Sequence, residues 1–182
     1  MATAAPELPL ITDRTAFNIQ RWEEVCADPT LSSIAGRLET DAFGQVIMNY
    51  PPAPEHGENQ VSLAFVIRQH LRSGHIITEC PVSTRDGVKL TDIAWISAER
   101  RAAQKGQKVF TAAPEICVEV LSPSNTRDEI DRKKHLYFES GAEEVWICGL
   151  DRSMRFFVRS APDELGTSTL CPGFPDRIDS LA

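Results

Sequence analysis

No stretch of this 182-residue chain approaches the roughly 20 consecutive apolar residues a bilayer span needs, so no membrane-crossing segment is expected. Met1-Ala-Thr-Ala-Ala-Pro6 also lacks the charged start of a secretory signal. Positive charge is in deficit: 19 Lys and Arg stand against 26 Asp and Glu, a net charge of −7. Nothing draws the whole chain to a polyanion, so local basic patches or metal ions would have to hold a nucleic-acid partner. The five cysteines (26, 80, 117, 148 and 171) show no metal-ligand spacing, three of them lie in apolar strand-like runs, and their number is odd. A reduced, cytoplasmic protein is expected. His70, His75 and His135 lack the spacing of a zinc site. No Gly-x-Ser-x-Gly elbow accompanies Ser122 or Ser124, which read as cap and turn formers rather than nucleophiles. No internal repeat is visible. What is present, 42% hydrophobic residues over this length, suits one folded domain with a sizeable core.

Residues 1–12 read as a frayed leader, after which Thr12-Asp13 caps a predicted helix through about Cys26, with Phe17 and Trp22 on its apolar side. Residues 34–39 and 45–50 alternate as a hairpin around Asp41 and Gly44. Pro51-Pro52-Ala53-Pro54 breaks it, and a helix is predicted from about Glu55 to Leu71, with Val61, Phe65 and Ile67 to Leu71 at helical spacing. Residues 75–84 and 88–96 flank Arg85-Asp86-Gly87, whose Asp-Gly step is a strong hairpin signal. A polar loop or short helix follows, carrying Arg100, Arg101, Lys105 and Lys108. Beyond a strand at 116–121, Ser124-Asn125-Thr126 starts a helix that runs to about Ser140 and ends on Gly141. Residues 145–148 and 154–158 make two more strands, and the tail from Pro162 is turn-rich with a short strand near Phe174. This order describes an α/β or α+β sandwich in which helices flank a mixed central sheet. The whole of 1–182 is read as a single domain: helix and hairpin over 13–50, a core over about 55–160, and a tail over 161–182.

Within Ile116-Cys117-Val118-Glu119-Val120-Leu121 both faces are apolar except at Glu119. A strand of that kind is central and covered on both sides, so its carboxylate needs a partner. Asp92, in Leu90-Thr91-Asp92-Ile93-Ala94-Trp95-Ile96, is a second intruder on an apolar strand, although an Asp near a strand start also serves as a turn or edge residue. On the predicted helix, Lys134 shares the face of Ile130, Tyr137 and Phe138, with Lys133 about 60° away. Both lysines could simply run their stems along the core to water. Alternatively, one reaches the carboxylates. Two carboxylates ~4 Å apart repel by about 4 kcal/mol at an effective dielectric of 20, more than one lysine relieves. A divalent cation, Mg2+ or Mn2+, resolves the conflict, since it takes one or two carboxylates together with phosphate oxygens and water. Asp, Glu and Lys around such an ion suit phosphodiester cleavage.

Thr91-Asp92-Ile93-Ala94-Trp95, Pro114 to Ser124, Lys133-x-x-x-Tyr137 and Gly141-Ala-Glu-Glu-Val-Trp146 together resemble the Uma-two family of restriction-endonuclease-like proteins, part of the PD-(D/E)xK nuclease superfamily. The resemblance spans roughly residues 30–160. It implies a restriction-endonuclease-like core, a divalent metal on Asp92 and Glu119, and Lys133 as the catalytic lysine. It also implies auxiliary roles for Glu39 and His56. Two departures stand out: Thr91 replaces the signature Pro, and Leu121 occupies the place of the signature lysine, so the lysine comes from the next helix. The spacing to Tyr137 selects Lys133, whereas the helical wheel favours Lys134.

Glu39 could equally be a hairpin surface residue, and His56 a capping or packing histidine. Arg100, Arg101, Lys105 and Lys108 could grip a DNA backbone or form a solvated loop. The leading expectation is a metal-dependent DNA endonuclease, with a homodimer that doubles its cleft. Against it stand a catalytically inactive nuclease fold that binds nucleic acid or supports assembly, and a buried structural ion network without chemistry.

Overall fold

The computed structural model describes residues 11–34, 36–49 and 53–179. The first ten residues of the expected leader, the Tyr50 end of the first hairpin and Pro51-Pro52 lie outside them. Among the described residues no helix is long and apolar enough to cross a membrane.

Asp13 accepts the Ala16 N–H at 3.0 Å and so starts helix α1 (Arg14–Ala27), and Asp28 does the same for the single turn α2 (Pro29–Ser32). A two-stranded hairpin follows, β1 (Arg37–Thr40) with β2 (Val46–Asn49). Then come α3 (Pro54–His70), β3 (His75–Thr84), β4 (Gly87–Ile96), the short α4 (Ala98–Ala103) and β5 (Ile116–Val120). Helix α5 (Arg127–Glu139), capped by Thr126, leads to β6 (Glu144–Cys148), β7 (Met154–Val158) and β8 (Ala161–Leu165).

The main sheet runs β3-β4-β5-β6-β7-β8, and only β5 and β6 are parallel. Parallel neighbours need a crossover, and α5 supplies it. Helix α3 covers one face, where Leu63 and Ile67 meet Ile93, Ile116, Val118 and Trp146. Helix α5 covers the other, where Ile130 and Tyr137 meet Ala94, Cys117 and Ile147. All five residues of β5 are therefore buried, as an all-apolar strand with one Glu requires.

Two expectations fail. Val61 and Phe65 point outward, 64% and 48% exposed, because α3 carries two apolar i,i+4 pairs on different sides and Leu63–Ile67 is the one that docks. Phe174 forms no strand; its ring packs 4.6 Å from that of Trp146, and the tail's strand is β8 instead. The chain after β8 is held by Glu144, which accepts from Trp146 Nε1 at 2.6 Å, Ser168 Oγ at 2.7 Å, and the Thr169 and Leu170 N–H groups at 2.7 and 2.8 Å.

One feature of the hairpin places the site. Strand β5 pairs only with residues 93–95 of β4, which leaves the 88–92 edge of β4 uncovered on that side. Side chains of β1 meet it instead: Thr40 Oγ1 accepts the Val88 N–H at 2.8 Å, and Glu39 Oε1 accepts the Leu90 N–H at 3.1 Å. Gly87 (φ +86°) permits this approach, since a Cβ there would stand 2.4 Å from the carbonyl oxygens of Thr40 and Asp41.

Candidate active site

Where β4 and β5 part, side chains replace the missing ladder. Thr91 Oγ1 accepts the Val118 N–H at 3.1 Å and lies 2.9 Å from the Val118 carbonyl, while Asp92 Oδ2 accepts the Val120 N–H at 2.6 Å. Buried backbone groups must find partners, and the two residues at the fork supply them. Extending the Ile93–Val118 pairing by one position sets Asp92 opposite Glu119, both on the α5 side. The two carboxylates line one cleft of about 550 Å³, together with Arg37, His56, Ser122, Ser124, Asn125 and Lys133.

Helix α5 brings the ammonium. Lys133 Nζ lies 3.3 Å from Glu119 Oε2, 2.9 Å from Glu39 Oε1 and 3.3 Å from the Leu90 carbonyl. One turn later the Tyr137 hydroxyl donates to Glu119 Oε1 at 2.7 Å. At the mouth of the fork, Arg37 Nη1 donates to Asp92 Oδ1, and Nη2 donates to the Leu90 carbonyl. His56 Nε2 is 3.6 Å from Asp92 Oδ1, an ion-pair contact rather than a hydrogen bond.

These neighbours drive the two carboxyls apart. Burial pushes Glu119 up, Lys133 pulls it down and the like charge of Asp92 pushes it up again, leaving it at about 7. Burial would raise Asp92 as well, but His56, Arg37, Lys133 and the Val120 N–H favour its ionised form and lower it to about 2. Burial disfavours the Lys133 ammonium, yet Glu119 and Glu39 outweigh it and hold the lysine protonated above its ordinary value. The neighbouring Asp92 raises His56, against its partial burial. One carboxylate that stays charged beside one poised near neutrality is the pattern that separates acid and base roles.

Of the residues singled out in the sequence, Asp92, Glu119, Lys133, Glu39 and His56 converge here. Lys134 does not: its ammonium pairs with Asp131 at 2.8 Å and sits 4.2 Å over the Phe157 ring. Arg100, Arg101, Lys105 and Lys108 do not line the cleft. Arg100 is engaged with Glu115, Glu143 and the carbonyls of Ala113 and Gly141, and Arg101 lies over Phe110. Sequence reasoning missed Arg37, although its place two residues before Glu39 sets both on one face of β1. It also gave Tyr137 no part in holding Glu119.

Among the described residues no three His, Cys, Asp or Glu side chains form a metal cluster. Asp92 and Glu119 still offer hard oxygen donors in a polar cleft, a set that fits Mg2+ or Mn2+, which complete their shells with water and phosphate oxygens. Each of the four carboxylate oxygens has a protein donor, so an ion must share or displace at least one of them.

The family model Uma2, described as "Putative restriction endonuclease", matches residues 29–170. A solved structure described as "a putative nuclease belonging to DUF820", from Anabaena variabilis, is similar at a TM-score of 0.58 and 16% identity, covering 67% of this chain and 72% of that one. At that identity the likeness is one of fold. No curated protein matches.

Proposed function

The chain belongs to the Uma2 family, and from that membership together with the fork geometry we propose that it is a divalent-metal-dependent DNA endonuclease hydrolysing phosphodiester bonds. One observation carries the proposal: two carboxylates from adjacent strands and the ammonium of the crossover helix meet in a single cleft. Asp92 and Glu119 would hold Mg2+ or Mn2+, which when bound screens phosphodiester charge and makes water a better nucleophile. Lys133 is kept charged by Glu39 and Glu119, so it faces the cleft as a fixed cation able to stabilise charge that builds on a phosphate in the transition state. Glu39 anchors that ammonium, and Tyr137 fixes the rotamer of Glu119. His56, raised by Asp92, adds a cationic group at the cleft wall below its own pKa. A homodimer would present two such clefts to one duplex.

Incubating the protein with supercoiled plasmid and Mg2+ or Mn2+ tests the proposal. Wild type nicks or linearises the DNA, and Asp92→Ala and Glu119→Ala do not; identical behaviour of all three proteins defeats it.

The complete set of protein donors around the carboxylates favours a second reading, a nuclease fold that binds nucleic acid without cutting it. That alternative requires DNA binding that survives both chelation and the two alanine substitutions.

A further inference from the structure

Arg37 is the member of the cluster to which the chemistry above gives no task. Only 16% of its side chain is exposed; its guanidinium donates to Asp92 Oδ1 and the Leu90 carbonyl, and its Nε lies 2.9 Å from Glu79 Oε2 in an ion pair without a hydrogen bond. Asp92 Oδ2 accepts the Val120 N–H, while Oδ1 takes Arg37 and lies 3.6 Å from His56 Nε2; all of these residues line the cleft.

Glu79 is unusual in its own right. It adopts φ +52°, a left-handed conformation that non-glycine residues rarely take. It falls where the β3–β4 ladder is interrupted, since Thr78 pairs with Ile93 and Cys80 with Thr91 while the position opposite Asp92 is skipped. The carboxylate takes a hydrogen bond from Gln60 Nε2 at 2.8 Å, and its side chain is 40% exposed. Although Arg37 Nε is close to it, the N–H is not aimed at a carboxylate oxygen. Such costly backbone conformations cluster at catalytic and ligand-binding sites. Here the result is an acidic group within reach of Arg37 whose best hydrogen bond to it is still unmade.

Resting on the metal-nuclease reading, we infer that Arg37 is a built-in stand-in for the divalent cation: it neutralises Asp92 when no ion is bound, and metal uptake is an exchange in which the guanidinium leaves Oδ1 and completes its pairing with Glu79, already 2.9 Å from its Nε. The electrostatics require such a device. Asp92, Glu119 and Glu39 share a desolvated fork, and without Arg37 only the Lys133 ammonium and, when protonated, His56 would face all three. A dication arriving while Arg37 remained on Oδ1 would meet a like charge at contact. Moving the guanidinium to the half-exposed Glu79 removes that repulsion at little desolvation cost. The metal-free site is thereby kept folded, and metal affinity is set by competition with an internal cation.

Calorimetric titration of Mn2+ alone into the metal-free full chain tests the exchange, with native circular dichroism required of each variant. Arg37→Met binds Mn2+ about tenfold tighter than wild type or more, because a competing charge-assisted hydrogen bond is gone. Arg37→Lys, which keeps the charge but loses the two-pronged fork, binds severalfold tighter. Asp92→Asn abolishes binding in either background. If Arg37→Lys matches wild type while Arg37→Met tightens, the effect is distant charge and the exchange is wrong. If both match wild type and Asp92→Asn still loses the ion, the exchange is wrong and the nuclease reading stands. If no protein binds Mn2+, both fall together. In wild type, the Arg37 Nε–H resonance shifts on adding Mg2+; an unmoved resonance at saturation overturns the exchange whatever the variants do.

Discussion

Replacing Lys133 with Met removes an ammonium that touches Glu39 at 2.9 Å, Glu119 at 3.3 Å and the Leu90 carbonyl at 3.3 Å, and puts an apolar chain of similar length in its place. Breaking a buried ion pair from one side typically costs about 3–5 kcal/mol, because the remaining charge has no partner. Two features reduce that figure here. Glu39 keeps the Leu90 N–H, and Glu119 keeps the Tyr137 hydroxyl and, already at about 7, can take a proton. The expected loss is therefore about 3 kcal/mol at pH 8 and about 1 kcal/mol at pH 5. The sign follows from linkage: a carboxyl raised further in the folded state keeps its proton where the unfolded chain has released it, so the penalty is full at high pH and shrinks as pH falls. Urea unfolding at the two pH values measures this directly, and Glu119→Gln together with Lys133→Met should lose about 1–3 kcal/mol less than the sum of the single changes. Lys134→Met, one residue on, should lose about 1 kcal/mol, since its partner Asp131 is largely solvated. Equal stability of Lys133→Met and wild type across this pH range would refute the buried ion pair. Full DNA cleavage by the folded Lys133→Met protein at pH 6 would leave Lys133 a purely structural cation.

Further outcomes follow from the same geometry. Burial places the folded-state Glu119 carboxyl at about 7 against an ordinary 4.5, so wild type should lose up to about 3 kcal/mol as pH rises from 4.5 to 7, and urea unfolding of Glu119→Gln should lack that slope. Asp92 acts in the opposite sense: it is lowered to about 2, and the stability it confers is lost only as pH falls below 3.8 towards 2, outside that window. Thr91→Val keeps the shape but strips the hydroxyl bridging to Val118, for about 2 kcal/mol or roughly 6 °C in Tm by calorimetry. Glu144→Ala leaves Ser168 and the Thr169 and Leu170 N–H groups without their acceptor, and limited proteolysis should cut the chain near them faster than in wild type. Asp92→Asn, which keeps an oxygen for the Val120 N–H, should be more stable to urea than Asp92→Ala by about 1–2 kcal/mol while losing cleavage as completely.

Much of this was legible in the sequence because it depends on periodicity. The two apolar faces of β5 put Glu119 in the core, and the alternation of residues 90–96 put Asp92 on the face of Ala94 and Ile96; the β4–β5 register then makes that the face of Glu119. The Asp86-Gly87 step located the hairpin, and the spacing of α5 brought its lysines to the buried side. Arg37 and Glu79 were not legible, for a common reason. Strand β1 meets β4 through side-chain bonds to backbone, with no ladder and hence no register to read, and Glu79 owes its orientation to an interruption no pattern announces. The choice between Lys133 and Lys134 failed on a wheel because both are buried, one towards the fork and one over Phe157. Val61 and Phe65 misled because a helix with apolar residues on several sides leaves its docking face to the tertiary partner.

The fork explains why an acidic side chain stands at this point of the core. A sheet that splits between two central strands exposes backbone N–H groups at the point where both faces are already covered, and the Val120 N–H is one of them. A carboxylate is the short side chain best able to accept such a donor, so Asp92 has a structural task whatever its chemistry. Once it is there, its charge must be balanced, and Arg37 and Lys133 come from elements outside the β4–β5 pair to do so. Each substitution at Asp92 therefore changes folding and chemistry together, whereas the Glu119 carboxylate accepts no backbone N–H and separates the two. Glu119→Gln keeps an oxygen for Tyr137 and removes the charge. A folded, stable Glu119→Gln protein that has lost both Mn2+ and DNA cleavage assigns the carboxylate to chemistry; one that keeps both assigns it to the ion network of the core.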